Sequence, residues 1–188
     1  MKTGILLYGP PASGKDTVTA ALTAVDVRIR QFRRLKVGSG RTEGYRLGTA
    51  EELRELEAAG EVLYRNERYG NVYLVDRPGL DAVLDKGYIP VVHLGQVAGV
   101  LAVRDAYPAR WLTVRLDCPR DVTAARSVAR GDRDTEARLR AWDATAADLE
   151  GHDPKLWDVH LPTDRYGPAE AAERVRAALG ALEGSALR

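Results

Sequence analysis

The chain has 188 residues, the size of one α/β domain with room for a substantial core and a small inserted lobe, and too short to call for two independent domains. Its 28 Lys and Arg balance 27 Asp and Glu, which excludes a global nucleic-acid or membrane footprint and makes any anion site local. One cysteine, Cys118, excludes an internal disulfide; no apolar run approaches about 18 residues, so a membrane span is not expected and a cytoplasmic protein, monomer or homodimer, is.

In chain order, residues 5–8 form a short apolar run ending in a glycine turn, and residues 15–24 have helix-forming composition with Val18, Ala21 and Leu22 on one face. Residues 28–85 break this rhythm with a Gly-rich basic loop, a charged helix at 50–59 and a tyrosine-rich segment resembling short antiparallel strands. Beyond them, residues 88–94, 111–116 and 157–161 are apolar on both faces, as buried parallel strands are. Residues 98–106, 119–130, 138–149 and 168–182 have the amphipathic or Ala-rich pattern of helices. The alternation predicts an α/β fold in which a five-stranded parallel sheet is flanked by helices. A single domain is expected, with its core at 1–27 and 86–188 and an inserted lobe at about 28–85.

The segment Gly9-Pro10-Pro11-Ala12-Ser13-Gly14-Lys15-Asp16-Thr17 carries the spacing of glycine, four residues, then Gly-Lys, between a predicted strand and a predicted helix. Glycines let backbone N–H groups wrap phosphate oxygens, and the following helix adds its positive N-terminal end. Gly9, Ala12, Ser13, Gly14, Lys15, Asp16 and Thr17 are therefore the candidate nucleotide-binding residues, with Lys15 neutralising β- and γ-phosphate charge as the bond breaks. Asp16 stands where a Ser or Thr hydroxyl ordinarily reaches Mg²⁺; its carboxylate is a hard oxygen ligand, so Asp16, with Thr17 beside it, is the candidate metal residue. ATP and Mg²⁺ are the expected cofactors.

This loop, the basic segment after it, the stretch Tyr69-Gly70-Asn71-Val72-Tyr73 and the Arg-Gly pair at Arg130-Gly131 together resemble the guanylate kinase superfamily. The resemblance implies a P-loop kinase with an acceptor-binding lobe and a short lid at about 126–140. It also implies that Arg33, Lys36, Tyr45 and Tyr73 grip an acceptor phosphate, and Arg30, Arg34 and Arg41 can share that task. Such a set suits a phosphate dianion, because each member donates a charge-assisted or phenolic hydrogen bond. The guanine-reading positions depart from the family: Tyr64 stands for its glutamate, and His93-Leu94-Gly95-Gln96 for the acids that end its next strand. A pocket without those acceptors has no physical basis for choosing guanine. The Gly14-Lys15-Asp16 loop and the missing acids resemble instead the ribose 1,5-bisphosphate phosphokinase branch, and the loop alone also resembles phage-type deoxynucleoside monophosphate kinases and phosphomevalonate kinases.

Within the lid segment, Arg130 and Arg138 are the candidate catalytic arginines beside Lys15, suited to the charge spread over a transferring phosphoryl group. His93 is a candidate to accept a proton or bind substrate. By the same resemblance the nucleotide base lies near the lid and residues 162–165. Asp117 is expected to cap the helix that follows it, and His152 and His160 match no metal-ligand spacing. The expected activity is in-line phosphoryl transfer to a small phosphorylated acceptor, a nucleoside monophosphate or ribose phosphate. The alternative is a guanylate-kinase-like module that binds without catalysis.

Overall fold

A computed structural model describes residues 2–40, 42–68, 70–131 and 134–185. The elements run β1 (Thr3–Tyr8), α1 (Lys15–Val25), β2 (Ile29–Gln31), β3 (Arg34–Val37), β4 (Tyr45–Leu47), α2 (Ala50–Ala58), β5 (Val62–Arg68) and β6 (Asn71–Asp76). They continue as α3 (Arg77–Leu84), β7 (Ile89–Leu94), α4 (Val97–Ala106), β8 (Arg110–Asp117), α5 (Arg120–Ala129), α6 (Thr135–Leu149), β9 (Val159–Pro162) and α7 (Pro168–Gly184). Among the described residues no helix is long and apolar enough to cross a membrane.

The core is a five-stranded parallel sheet in the order β2-β7-β1-β8-β9. All six residues of β1 are buried, and the two-residue period of a strand sends them to opposite sides. Ile5 and Leu7 join Val18 and Leu22 of α1 and Val175 and Leu179 of α7. Leu6 and Tyr8 join Val92, Leu94, Leu80 of α3 and Val97, Val100 and Val103 of α4. A strand apolar on both faces can only sit in the middle of a covered sheet, and its carboxyl end is where the Gly9–Thr17 loop leaves.

A second, four-stranded sheet in the order β4-β3-β6-β5 forms the lobe. Its β3–β6 and β5–β6 pairs are antiparallel, as the tyrosine-rich pattern predicted, while β3 and β4 are parallel.

Three features differ from the sequence reading. Residues 29–31 form the edge strand of the core sheet, with Ile29 paired to Ile89; the lobe sheet thus begins at Arg34, not at residue 28. An edge strand with one buried residue, Ile29, gives no apolar run to read. Residues 34–37, inside the expected basic loop, are strand, and residues 77–84 are a helix whose Leu80 and Leu84 pack on the core. That helix has a local signal in Asp76-Arg77-Pro78: Asp76 Oδ1 accepts from Gly79 N at 2.8 Å, and proline occupies the first turn.

Two carboxylates, Asp148 half-buried and Asp76 buried, tie the parts together. Asp148, near the end of α6, accepts from Val97 N at 2.6 Å and Tyr8 OH at 3.3 Å, joining the helix to the start of α4 and the end of β1. Asp76 is 1 % exposed and holds Arg46 of β4 besides capping α3. Asp76→Ala removes a cap and strands a partly exposed guanidinium, so urea unfolding should show a loss of about 2 kcal/mol; a loss below about 0.5 kcal/mol would mean that neither contact matters.

Candidate active site

The loop after β1 is shaped by its dihedrals. Ala12 and Gly14 have φ of 59° and 92°, the left-handed region that lets successive N–H groups face one concavity. A Cβ on Gly9 would stand 2.6 Å from Ser13 Oγ and 2.8 Å from Leu116 O, so glycine is needed there for space. Ser13 Oγ is itself buried without a partner among the described residues, an orphan polar atom inside the cradle that fits a phosphate ligand. Lys15 Nζ donates to the carbonyls of Gly9 and Pro10 at 2.7 and 2.8 Å. Burial pushes its pKa down to about 8, with Arg68 and Arg130 adding to the effect against the opposing charge of Asp16. Asp16 is 65 % exposed at the rim, and Thr17 beside it is exposed, so two hard oxygens face solvent where a hydrated Mg²⁺ could be held.

A cavity of about 390 Å³ opens between this loop and the lobe sheet, with Lys15, Asp16 and His93 on the core side and Arg34, Tyr45 and Arg68 on the lobe side. Arg34 begins β3, opposite Tyr45. Its guanidinium lies 5.7 Å from the Tyr64 ring and 5.6 Å from the Tyr73 ring, and it donates to Asn66 Oδ1. Its Nε is buried with no partner among the described residues, and burial pushes its pKa down to about 10. Across the cavity Tyr64 OH donates to Gln96 Oε1 at 2.5 Å.

His93, at the end of β7, is nearly enclosed. Nε2 lies 2.7 Å from Thr19 Oγ1 and Nδ1 3.5 Å from Asp16 Oδ1. A carboxylate only accepts, so the ring proton belongs on Nδ1 and Nε2 accepts from the threonine hydroxyl. Burial first, then Lys15 and Arg34, push its pKa down to about 4 against the pull of Asp16, which keeps the imidazole neutral at pH 7.

On the other side of the loop a cavity of about 370 Å³ is lined by Gly14, Thr17, Arg126, Arg130, Thr163 and Tyr166. Arg126 organises it: Nη1 reaches Ala12 O at 3.3 Å, Cys118 Sγ at 3.4 Å and Thr163 Oγ1 at 3.1 Å, and Nη2 reaches Thr163 O at 2.7 Å. The expected lid is the tip of a helical hairpin: α6 starts at Thr135, earlier than residue 138, capped by Asp134, whose Oδ1 accepts from Ala137 N at 2.7 Å. Arg120 pairs with Asp143 at 2.8 Å at the base, and Ser127 Oγ meets Thr135 Oγ1 at 3.1 Å near the tip.

The structure thus gathers Gly9, Lys15, Asp16, Tyr45 and His93 around one cavity, and Ala12, Ser13, Gly14, Thr17 and Arg130 around the other. It does not bring all the expected anion ligands in. Arg33 is exposed, and its carbonyl accepts from Arg46 Nε at 2.9 Å; its neighbour Arg34 faces the cavity instead. Lys36 is 2 % exposed, with Nζ on Ser39 O at 2.5 Å, and Tyr73, whose ring is tilted against that of Tyr45 at 5.3 Å, does not line the cavity. Arg138 lines neither cavity, and Arg30 lies 3.9 Å over the Tyr88 ring. Arg41, Tyr69, Asp132 and Arg133 lie outside the described residues. Asp117 caps no helix: Pro119 occupies that place, and the carboxylate takes a two-pronged contact from Arg115, at 2.7 and 2.8 Å, and another from His160. Sequence reasoning missed Arg68 and Asn66, whose only signal was their alternation along β5, and Arg126, which reads as ordinary helix surface.

A family model described as chloramphenicol phosphotransferase-like protein matches residues 3–180. No curated protein sequence matches the chain. Among solved structures, guanylate kinase from Anaplasma phagocytophilum is similar at TM-score 0.65 and 19 % identity, covering 96 % of this chain and 85 % of its own. A sugar kinase from Janibacter sp. HTCC2649 is similar at TM-score 0.56 and 17 % identity, covering 96 % and 95 %. At these identities the likeness shows the fold, a P-loop nucleoside monophosphate kinase-like one.

The neutral state of His93 has a measurable consequence. Its pKa falls from an ordinary 6.5 to about 4 on folding, so the unfolded chain binds the proton first as pH drops. The associated stability is complete above about pH 6.5 and is lost between there and pH 4, amounting to roughly 2–3 kcal/mol. Urea unfolding at pH 7.5, 5.5 and 4.5 should show this loss in the wild type and a shallower one in His93→Gln. Parallel pH profiles would refute the account.

Proposed function

The chain belongs to the chloramphenicol phosphotransferase-like family, and on that footing we propose that it is an ATP-dependent kinase whose acceptor is the phosphate of a small molecule, a nucleoside monophosphate or a ribose phosphate. The family and the P-loop kinase fold make phosphoryl transfer the reaction class. The acceptor reading is carried by one observation, the guanidinium of Arg34, which lines the cavity beside the loop with a neutral amide as its hydrogen-bond partner and an Nε that no described residue satisfies. A buried guanidinium donor calls for an anion, and a phosphate supplies paired oxygens for it. An uncharged acceptor, such as the antibiotic in the family's name, would leave that donor unmatched. Guanine is disfavoured on separate grounds: Tyr64 and Gln96 satisfy each other at 2.5 Å where a guanine site needs carboxylates.

Each residue then has a task that its position permits. The loop's N–H groups and the start of α1 hold the β- and γ-phosphates of the donor, and Lys15 exchanges two loop carbonyls for phosphate oxygens. Asp16, with Thr17 beside it, would hold Mg²⁺, which when bound neutralises charge on the triphosphate. His93, neutral and held by Thr19, orients Asp16 from behind. Arg34 and Tyr45 bind the acceptor phosphate, and Arg130 stands at the donor-side cavity to meet charge as the lid tip closes. Acceleration comes from alignment of the two phosphates and from preorganised positive charge.

ADP release from ATP and Mg²⁺, across nucleoside monophosphates, sugar phosphates and chloramphenicol, tests this reading. A phosphorylated acceptor should drive release, and Lys15→Ala should reduce it by about 100-fold or more. Arg34→Ala should raise the acceptor KM by about 10- to 100-fold, the worth of a charged hydrogen bond, and leave the ATP KM in place, whereas Arg33→Ala should behave as wild type. Release driven only by chloramphenicol would overturn the acceptor assignment, and ATP binding with no acceptor-dependent release would favour a non-catalytic binding module.

A further inference from the structure

Arg68 is the last residue of β5, opposite Asn71 across the hairpin to β6, and it lines the same cavity as Lys15 and Arg34. It is half-buried there, and its side chain makes no hydrogen bond or ion pair with any described residue. Arg65 on the same strand shows the contrast: it is exposed and paired with Glu57 and Glu67. The charge of Arg68 bears on both sides of the cleft, since it helps hold down the pKa of Lys15 on the core and of Arg34 on the lobe. Three cations therefore converge on a space whose lining includes two carboxylates, Asp16 at the solvent rim and Glu43 on the lobe. Long cationic side chains that repel one another separate into water unless the fold holds them. A fold that holds three of them toward one cavity fits a ligand with negative charge at three consecutive points, and a phosphoryl group passing between two phosphates is such a ligand.

We propose that Arg68 is a catalytic residue that binds the phosphoryl group in transit, between Lys15 on the donor side and Arg34 on the acceptor side. The assignment rests on the phosphotransfer reading above and names a residue delivered by the lobe sheet, separate from the lid arginines. In the step, an oxygen of the acceptor's phosphate dianion forms the new bond to the γ-phosphorus. The bond from that phosphorus to the β,γ-bridging oxygen breaks, and ADP keeps the electron pair. No proton need move, and total charge is unchanged. As the equatorial oxygens of the group in flight gather charge, the guanidinium offers them paired N–H donors. Because Arg68 belongs to the lobe that binds the acceptor, its charge is tied to acceptor occupancy.

The test uses Arg68→Gln and Arg68→Lys in the full chain. With the acceptor identified by ADP release, Arg68→Gln should lower kcat by about 1,000-fold, the scale of an arginine acting on transferring phosphate, with the KM for ATP within about threefold; Arg68→Lys should recover part of the rate. Independently of turnover, fluorescent mant-ADP with Mg²⁺ and aluminium fluoride, which imitate the group in flight, should be retained more tightly by the wild type than mant-ADP alone. Arg68→Gln should bind mant-ADP normally and lose that extra retention. A kcat within about threefold of wild type, a defect confined to the acceptor KM, or equal retention in both proteins would overturn the assignment, as would loss of mant-ADP binding itself. Absence of any acceptor-dependent ADP release in the wild type would instead sink the phosphotransfer reading, and the retention assay would still decide the fate of Arg68.

Discussion

Everything at the site depends on β1 being clamped from both sides. Ile5 and Leu7 are locked beneath α1 and α7, Leu6 and Tyr8 beneath α3 and α4, and all four are fully buried. Each such side chain contributes about 1.5–3 kcal/mol of transfer free energy, and the strand has no freedom to slide, because a one-residue slip would exchange its two faces. The loop that leaves its carboxyl end is thereby fixed in position and direction. Only on such a base can a chain hold Ala12 in the left-handed region, a conformation that costs about 1–2 kcal/mol outside glycine. The strained loop is stable because the strand beneath it cannot move.

The lobe is a different kind of object. It puts few large apolar residues in the core, Leu35, Leu74 and Val75 among them, and much of what it contributes is charge held by aromatic rings and amides. Arg34 between two tyrosines illustrates this: the rings supply a favourable face for the cation without neutralising it, as a carboxylate would. The pairing of Arg34 with Asn66 has the same character, a neutral acceptor that orients the guanidinium and leaves its charge available. The core face of the cleft follows the same rule, since neutral His93 fills space beside Lys15 without adding to the positive charge.

The donor half of the site was legible in the sequence because its chemistry demands particular residue types in one unbroken stretch. Gly9 is required by the closeness of Leu116 and Ser13, Gly14 by its dihedral, and Lys15 by its reach. The main strands were legible because a short run that is apolar on both faces must be covered on both, and a parallel sheet between helices does that. The acceptor half was harder. In a strand the facing of a side chain changes with every residue, so a spacing that selects Arg33 where the fold uses Arg34 lands on the wrong side. Lys36 shares a face with Arg34, but its stem is enclosed and its ammonium turned to Ser39, which no spacing reveals. Arg68 was invisible because its role comes from the hairpin folding it back toward a loop more than fifty residues earlier. Asp117 had a helix-capping context, yet the strand pairing that sets His160 beside Arg115 gave it two cationic partners instead.

One arginine links what the sequence keeps far apart. The guanidinium of Arg126 touches the loops that follow β1, β8 and β9 at once, through Ala12, Cys118 and Thr163. Loops on three neighbouring strands would ordinarily open and close independently, each with its own small free energy. Here opening any one of them breaks a bond to the same cation, so the free energies of opening are coupled through it. Amide exchange at the donor edge of the sheet is therefore a cooperative property of three loops, set by a side chain that belongs to none of them.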